Sequence, residues 1–285
     1  MREPGGGISE KCRHPRLLFH LILMPSKGGC RRKTVMKMKN FSVIALALGL
    51  SLTVKAQSSN STTEIKSGWN TVYLQYGLLG FSGDNSEDLD GINGFTLGYN
   101  RAIGISKQLP LYLEVGGTLT YATGTVYEYG YEDVNNNSDF NSTVTHNEKT
   151  KMTLMYVKVP ITLTYNYQIS DSKFFIAPYI GVTGRYIFSG EQKETTTETD
   201  VTKWSSAYGG STDTDYSSDE TKWNLYDEED MGEDNTWTRF QFGWQIGVNL
   251  KYKNLLVGIS YGSDFSEIAD DLKTNNLSFS LGYCF

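Results

Sequence analysis

Histidine is scarce in this chain, and so is the chemistry that histidine brings. Of His14, His20 and His146, only His146 lies beyond residue 56. A serine–histidine–aspartate relay or a metal centre needs histidine or clustered ligands close together. Past residue 56 the only cysteine is Cys284, which has no internal disulfide partner. Gly243-Trp244-Gln245-Ile246-Gly247 is two glycines on one side of an alternating segment, not a phosphate-binding loop. The expectation is a non-enzyme with no catalytic residue, no cofactor and no metal.

Three other groups of residues stand out. Glu114, Lys158, Arg185, Arg239 and Lys251 all oppose the apolar residues of alternating segments. Charges enclosed by protein must be paired. With Tyr112, Tyr156, Gln241 and Gln245 the first four are expected to plug an interior, Glu114 with Lys158 being the first pair to test. The alternative is a conduction path. Next, Gly190 to Thr236 holds fourteen Asp/Glu against three Lys, interleaved with Trp204, Tyr208, Tyr216, Trp223 and Tyr226. Such aromatics are candidates for contact with a partner. Asp227-Glu228-Glu229-Asp230 offers hard oxygen ligands without calcium-loop spacing. Finally, Tyr121, Thr123, Thr125, Tyr127, Tyr129 and Tyr131 share one parity, making Tyr127, Tyr129 and Tyr131 further interaction candidates on a projecting hairpin that turns at Asn135–Asn137.

The elements that carry these residues are read from their period of two, because successive side chains of a strand face opposite ways. Leu277, Phe279, Leu281, Tyr283 and Phe285 alternate with Ser278, Ser280, Gly282 and Cys284. Similar alternation runs through Val72–Leu78, Phe95–Tyr99, Leu111–Tyr121, Met155–Tyr165, Phe174–Phe188, Phe240–Tyr252 and Leu255–Tyr261. That makes eight strands. The links 103–109, 167–172 and 252–254 are short, whereas 80–91, 123–150, 189–236 and 264–275 are long. Strict alternation of short and long links is the pattern of a transmembrane barrel.

A soluble eight-stranded barrel would turn its apolar side inward and show Lys and Glu outside. Here the non-apolar face is mostly Gly, Ser, Thr, Asn, Gln and Tyr, which suits a crowded narrow lumen. Trp69, Tyr99, Tyr121, Tyr165, Tyr186, Trp237, Tyr252, Tyr283 and Phe285 bracket the apolar stretches like interfacial girdles. The predicted fold is all-β: an eight-stranded antiparallel up-and-down transmembrane β-barrel over 67–285 with long extracellular loops.

The N-terminal 66 residues are expected to lie outside the barrel. Phe41 to Val54 is apolar, follows Lys37 and Lys39, and leads to Val54-Lys55-Ala56. This is the layout of a secretory signal peptide, residues 36–56, cleaved before Gln57. Its start would be Met36 or Met38, which leaves 1–35 as an over-extended N-terminus and 57–66 as a short leading segment. Without residues 1–56 the chain carries 15 Lys/Arg against 30 Asp/Glu, a net charge of −15. Nucleic-acid binding, which needs a basic face, is not expected.

The stretch Tyr156-Val157-Lys158-Val159-Pro160-Ile161-Thr162-Leu163-Thr164-Tyr165, with Phe175-Ile176-Ala177-Pro178-Tyr179-Ile180-Gly181-Val182 after it, resembles a known family. It is similar to the porin-like outer-membrane β-barrel domain proteins common in Bacteroidetes, some of which assist protein secretion. The resemblance covers roughly 66–285 and implies the fold, with no catalytic residues to carry over.

The functional expectation is a structural or surface-interaction barrel of the cell outer membrane, multi-pass, with loops extracellular and termini periplasmic. Its partners would be outer-membrane lipid or lipopolysaccharide, the barrel-assembly machinery through the C-terminal strand, and an external protein or surface ligand met by the acidic loops. The alternatives are a small-solute porin, an accessory of a protein secretion system, and a lipid enzyme that would need a serine beside His146.

Overall fold

A computed structural model of the chain describes residues 68–285 except 138, 170, 171, 206, 208 and 233–235. The expected extension 1–35, signal peptide 36–56 and segment 57–66 lie outside the described residues, as does Tyr208.

The alternating segments form strands β1 (Gly68–Ser82), β2 (Ile92–Gly104), β3 (Leu111–Asn136), β4 (Phe140–Tyr165), β6 (Phe174–Trp204), β8 (Phe240–Tyr252), β9 (Leu255–Asp264) and β10 (Lys273–Cys284). They pair antiparallel in the order β4-β3-β2-β1-β10-β9-β8-β6, and β6 returns to β4, so the ring closes on eight strands. Two pieces lie off the ring: β5 (Tyr167–Gln168), which pairs with β6 at a short turn, and β7 (Thr212–Asn224), which pairs with β6 beyond the ring.

Register shows why the ring belongs in lipid. Val157, Leu119, Leu97, Leu74, Leu281, Val257, Leu250 and Ile176 are successive partners, one from each strand. Every one except Ile176 is at least 41% exposed, and Leu74 reaches 63%. A continuous apolar girdle is costly in water and is what a hydrocarbon environment requires. Closure in lipid also leaves no unpaired edge. The row starts on β6 at Ile176 and returns to β6 at Tyr186, the partner of Val157, ten residues away. With a rise of about 3.3 Å per residue and about 4.8 Å between strands, that stagger tilts the strands by about 40°.

Three strands continue well past the ring. β3 pairs with β2 only as far as Thr123, and β6 with β8 only as far as Tyr186. Beyond these points β3, β4, β6 and β7 form a four-stranded sheet with β3 and β7 at its edges. The hairpin of β3 and β4 is therefore present: β3 runs to Asn136 and β4 begins at Phe140, so the chain reverses slightly later than Asn135–Asn137. The stretch 189–236, expected as a loop, is largely strand. Its charged residues hid the strands because neither face of β7 is apolar.

Two bulges separate barrel from sheet. In β3 the register shifts between Thr125 and Tyr127, and between β4 and β6 it shifts at Met155/Tyr156, where Phe188 is the extra residue. An extra residue turns all later side chains to the other face. Tyr127, Tyr129 and Tyr131 thus face the side opposite to Tyr121, which corrects the single parity expected from sequence. The residue that breaks the alternation, Val126, is 1% exposed and joins the core.

Candidate functional site: the lumen and the outlying sheet

Within the ring, the inward positions carry the expected polar groups. Tyr112, Glu114, Tyr156, Arg185, Gln241 and Lys251 are buried, while Lys158 and Gln245 are half-buried. Two lumen cavities of about 30 and 40 Å³ share Lys158 and Gln245 as lining. Spaces of this size hold about two or three waters each.

The pairing differs from the expected Glu114–Lys158. Glu114 is in register with Thr162 and Lys158 with Thr118, four residues apart along the strands. The ion pair that does form is Arg185 with Asp264, Nη2 to Oδ2 at 2.5 Å, their side chains 7% and 10% exposed. Arg185 Nη2 also donates to Thr274 Oγ1 at 2.8 Å, and Thr274 donates in turn to Asp264 Oδ2. Asp264 was hidden from sequence reading because it ends β9, at the start of what read as a loop. Lys158 stands directly opposite Arg185 and lines the same cavity as Asp264.

Farther toward the short-turn end, Lys251 Nζ lies 3.5 Å from the centre of the Trp69 ring, and Trp69 packs on Tyr112 at 4.4 Å. Trp69 was expected in a girdle; it turns inward to cover a buried cation, for which an aromatic face is a favourable neighbour. Tyr73 and Tyr179 fill the remaining width. A Cβ at Gly98 would sit 2.3 Å from the Tyr73 ring, and one at Gly247 would sit 2.5 Å from that of Tyr179. The lumen glycines are small because tyrosines cross to meet them.

The long-loop end is closed by carbon rather than charge. Leu79, Ile92, Ala122, Val126, Met152, Leu154, Tyr156, Ile187, Leu225, Trp237, Ile268 and Leu272 form one buried cluster. Ile92, Ile187, Leu225 and Ile268 are fully enclosed. Each such side chain contributes roughly 1.5–3 kcal/mol of burial. Trp237, expected in a girdle, is instead 7% exposed within this cap. Arg239 sits at the same end, donating to the carbonyls of Ile187 and Phe188 at 3.4 and 3.2 Å and lying 4.4 Å from the Tyr226 ring centre. It pins the β6 bulge. Burial beneath this group pushes the Tyr226 hydroxyl pKa upward.

The outlying sheet has two faces of opposite character, because partners in register share a face. One face carries Asp133, Glu148, Glu194, Glu198, Asp200, Asp213, Asp215 and Asp219, with no Lys or Arg among the described residues. Tyr127, Tyr129 and Tyr131 lie on this face. His146 stacks on Tyr131 at 4.6 Å, and its Nδ1 is 3.4 Å from Glu198 Oε2. Partial burial, and then neighbouring Glu148, raise the Glu194 pKa. The other face carries Lys149, Lys151, Lys193, Lys203 and Lys222 against Glu128, Glu132, Glu191 and Glu220. Glu220 accepts from Lys193 at 2.5 Å, which lowers its pKa.

The remaining aromatic candidates do not gather on one surface. Trp204 pairs with Phe140 at the tip, Tyr216 is exposed on the lysine face, and Trp223 is half-buried at the base. Tyr226 is packed under Arg239. The acidic run is used structurally: Asp227 caps α1 (Glu228–Met231) by accepting from Glu229 N, and Asp230 accepts from Asn224 N.

A closed eight-stranded ring with an apolar exterior and a polar interior is the architecture of a bacterial outer-membrane protein. The chain belongs to the outer membrane protein beta-barrel domain family, which it matches over residues 44–266. Among solved structures it is similar to the attachment invasion locus protein Ail of Yersinia pestis, with 13% identity, 77% of this chain and 100% of that chain covered, and a TM-score of 0.33. Neisserial surface protein A shares 12% identity over 76% and 97% of the two chains, at a TM-score of 0.30. The N-terminal β-barrel domain of Pseudomonas aeruginosa OprF shares 10% over 76% and 99%, at 0.23. No curated protein matches the chain in sequence.

Proposed function

We propose that this protein is a non-enzymatic, closed outer-membrane barrel that holds its four-stranded sheet outside the cell, where the acidic, tyrosine-bearing face meets a cationic partner. One observation carries the reading: the carboxylates and lysines of the sheet segregate by face, with formal charges of −8 and +1. A sheet that only needed to be soluble would mix the two signs on both faces. Tyrosine beside carboxylate offers a cation both a ring face and a counter-charge. The Val126 bulge supports the reading, since it brings the three tyrosines to the acidic side. The apolar cap supports closure of the lumen over a small-solute path.

The test removes equal charge from either face. Intact cells displaying the chain are titrated with a fluorescent lysine-rich peptide. E148Q/E198Q/D200N on the acidic face should weaken binding about tenfold, and E128Q/E132Q/E220Q on the opposite face should leave it unchanged. Equal losses for both variants would mean that only net charge matters and would remove the proposed face.

A further inference from the structure

We infer that the lysine face is a second, separate site: its base binds the phosphate groups of outer-leaflet lipid. Lys151, Lys193 and Lys222 are direct partners on β4, β6 and β7, so three lysines stand in one row across adjacent strands of the same face. Like charges directly opposite one another destabilise a sheet, and a bridging anion relieves them. Lys151 has no carboxylate partner among the described residues, whereas Glu220 engages Lys193 at 2.5 Å and Lys222 at 3.7 Å. Glu191 lies one outward row nearer the ring, and Lys149 pairs with Glu128 at 4.0 Å. The local carboxylates therefore leave a cationic surplus centred on Lys151.

Height selects the ligand. The last outward row of the belt is Tyr121, Met155 and Ser189, and Lys151 is four residues beyond Met155 on β4. Four residues at about 3.3 Å each, tilted by about 40°, raise the row about 10 Å above the belt. The headgroup layer of one leaflet is about 5–8 Å thick. Lysine stems reach back along the strand surface to place their charges in that layer. A soluble anion would have no reason to find its cations at this level and on the lipid-facing side. The inference rests on the proposed outward orientation of the sheet.

The protein is reconstituted in nanodiscs of phosphatidylcholine with either diphosphoryl lipid A or its dephosphorylated form, and lipid retention is measured on transfer to detergent. The wild type should retain the phosphorylated lipid selectively. K151A/K193A/K222A should retain about tenfold less, whereas K151R/K193R/K222R should match the wild type. Heat-modifiable migration on gels verifies that each variant is folded. Equal retention by the alanine variant, equal retention of the dephosphorylated lipid, or full competition by millimolar inorganic phosphate would each overturn the site. A Tyr216→Cys variant, labelled on intact cells by an impermeant maleimide, reads orientation independently. Labelling without lipid selectivity would remove the site alone, and absent labelling would remove the orientation together with the site.

Discussion

Replacing Asp264 with alanine should expose how much the lumen depends on one carboxylate. In the folded barrel Asp264 Oδ2 receives Arg185 Nη2 at 2.5 Å and the hydroxyl of Thr274, and both ionised side chains are at most 10% exposed. Arg185 Nε has no hydrogen-bond partner among the described residues, so without Asp264 the guanidinium keeps its bond to Thr274 and the Tyr156 ring 5.1 Å away, but no counter-charge. Stranding a buried charge in this way costs about 3–5 kcal/mol. That is a large share of a total stability of about 5–15 kcal/mol. Removing both charges should be far milder, because a buried pair and an apolar replacement of similar volume are often close in energy. The assay is reversible urea unfolding in liposomes, followed by Trp fluorescence, for D264A, R185M and R185M/D264A. The double variant should recover at least about half of the loss seen in D264A, which is the coupling that neighbours in one network show. A loss below about 1 kcal/mol for D264A, or simple addition of the two single losses, would refute the claim that this pair is buried and coupled.

Other outcomes follow from specific contacts. Gly98→Ala should destabilise the barrel by about 1–3 kcal/mol, because the new methyl meets the Tyr73 ring; Tyr73→Ala in the same chain should restore part of the loss in the urea assay. Deleting Val126 should return Tyr127, Tyr129 and Tyr131 to the lysine face, which cross-linking from Tyr131→Cys to residues of either face would detect. Glu194→Gln should increase protease protection of 125–148 about twofold at a pH above the raised Glu194 pKa, where the carboxylate is ionised and penalised; the advantage should fade as pH drops through that pKa and the native residue protonates. In planar bilayers the wild-type chain should give no stable single-channel steps, since the cap residues around Ile92, Ile187, Leu225 and Ile268 are fully enclosed.

The barrel was legible wherever side chains alternate between lipid and lumen, since a period of two records both faces at once. Glu114, Arg185, Gln241 and Lys251 were readable as inward for that reason. Trp69 and Trp237 were not, because a tryptophan looks apolar whether it meets lipid, a buried ammonium or a cap. Asp264 lay at a strand end, where alternation stops. β7 was invisible, since both its faces meet water and nothing in its pattern distinguishes it from a solvated acidic segment. Val126 is the most instructive omission: an apolar residue in the right parity series gives no sign that its backbone has stepped aside. The tyrosines beyond it were found by composition and assigned to the wrong face by counting.

The ring has no free strand edge in the membrane, yet the chain carries two above it, on β3 and β7. Outer-membrane proteins share a crowded plane, where neighbouring copies meet by lateral diffusion and open edges invite strand exchange. Both edges here are acidic: Glu128, Glu132 and Asp133 on β3, and Asp213, Asp215, Asp219 and Glu220 on β7. Such edges repel their like over a screening length of about 8 Å at physiological salt. Edge-to-edge approach of two such sheets is therefore opposed by charge, to a degree that falls as ionic strength rises.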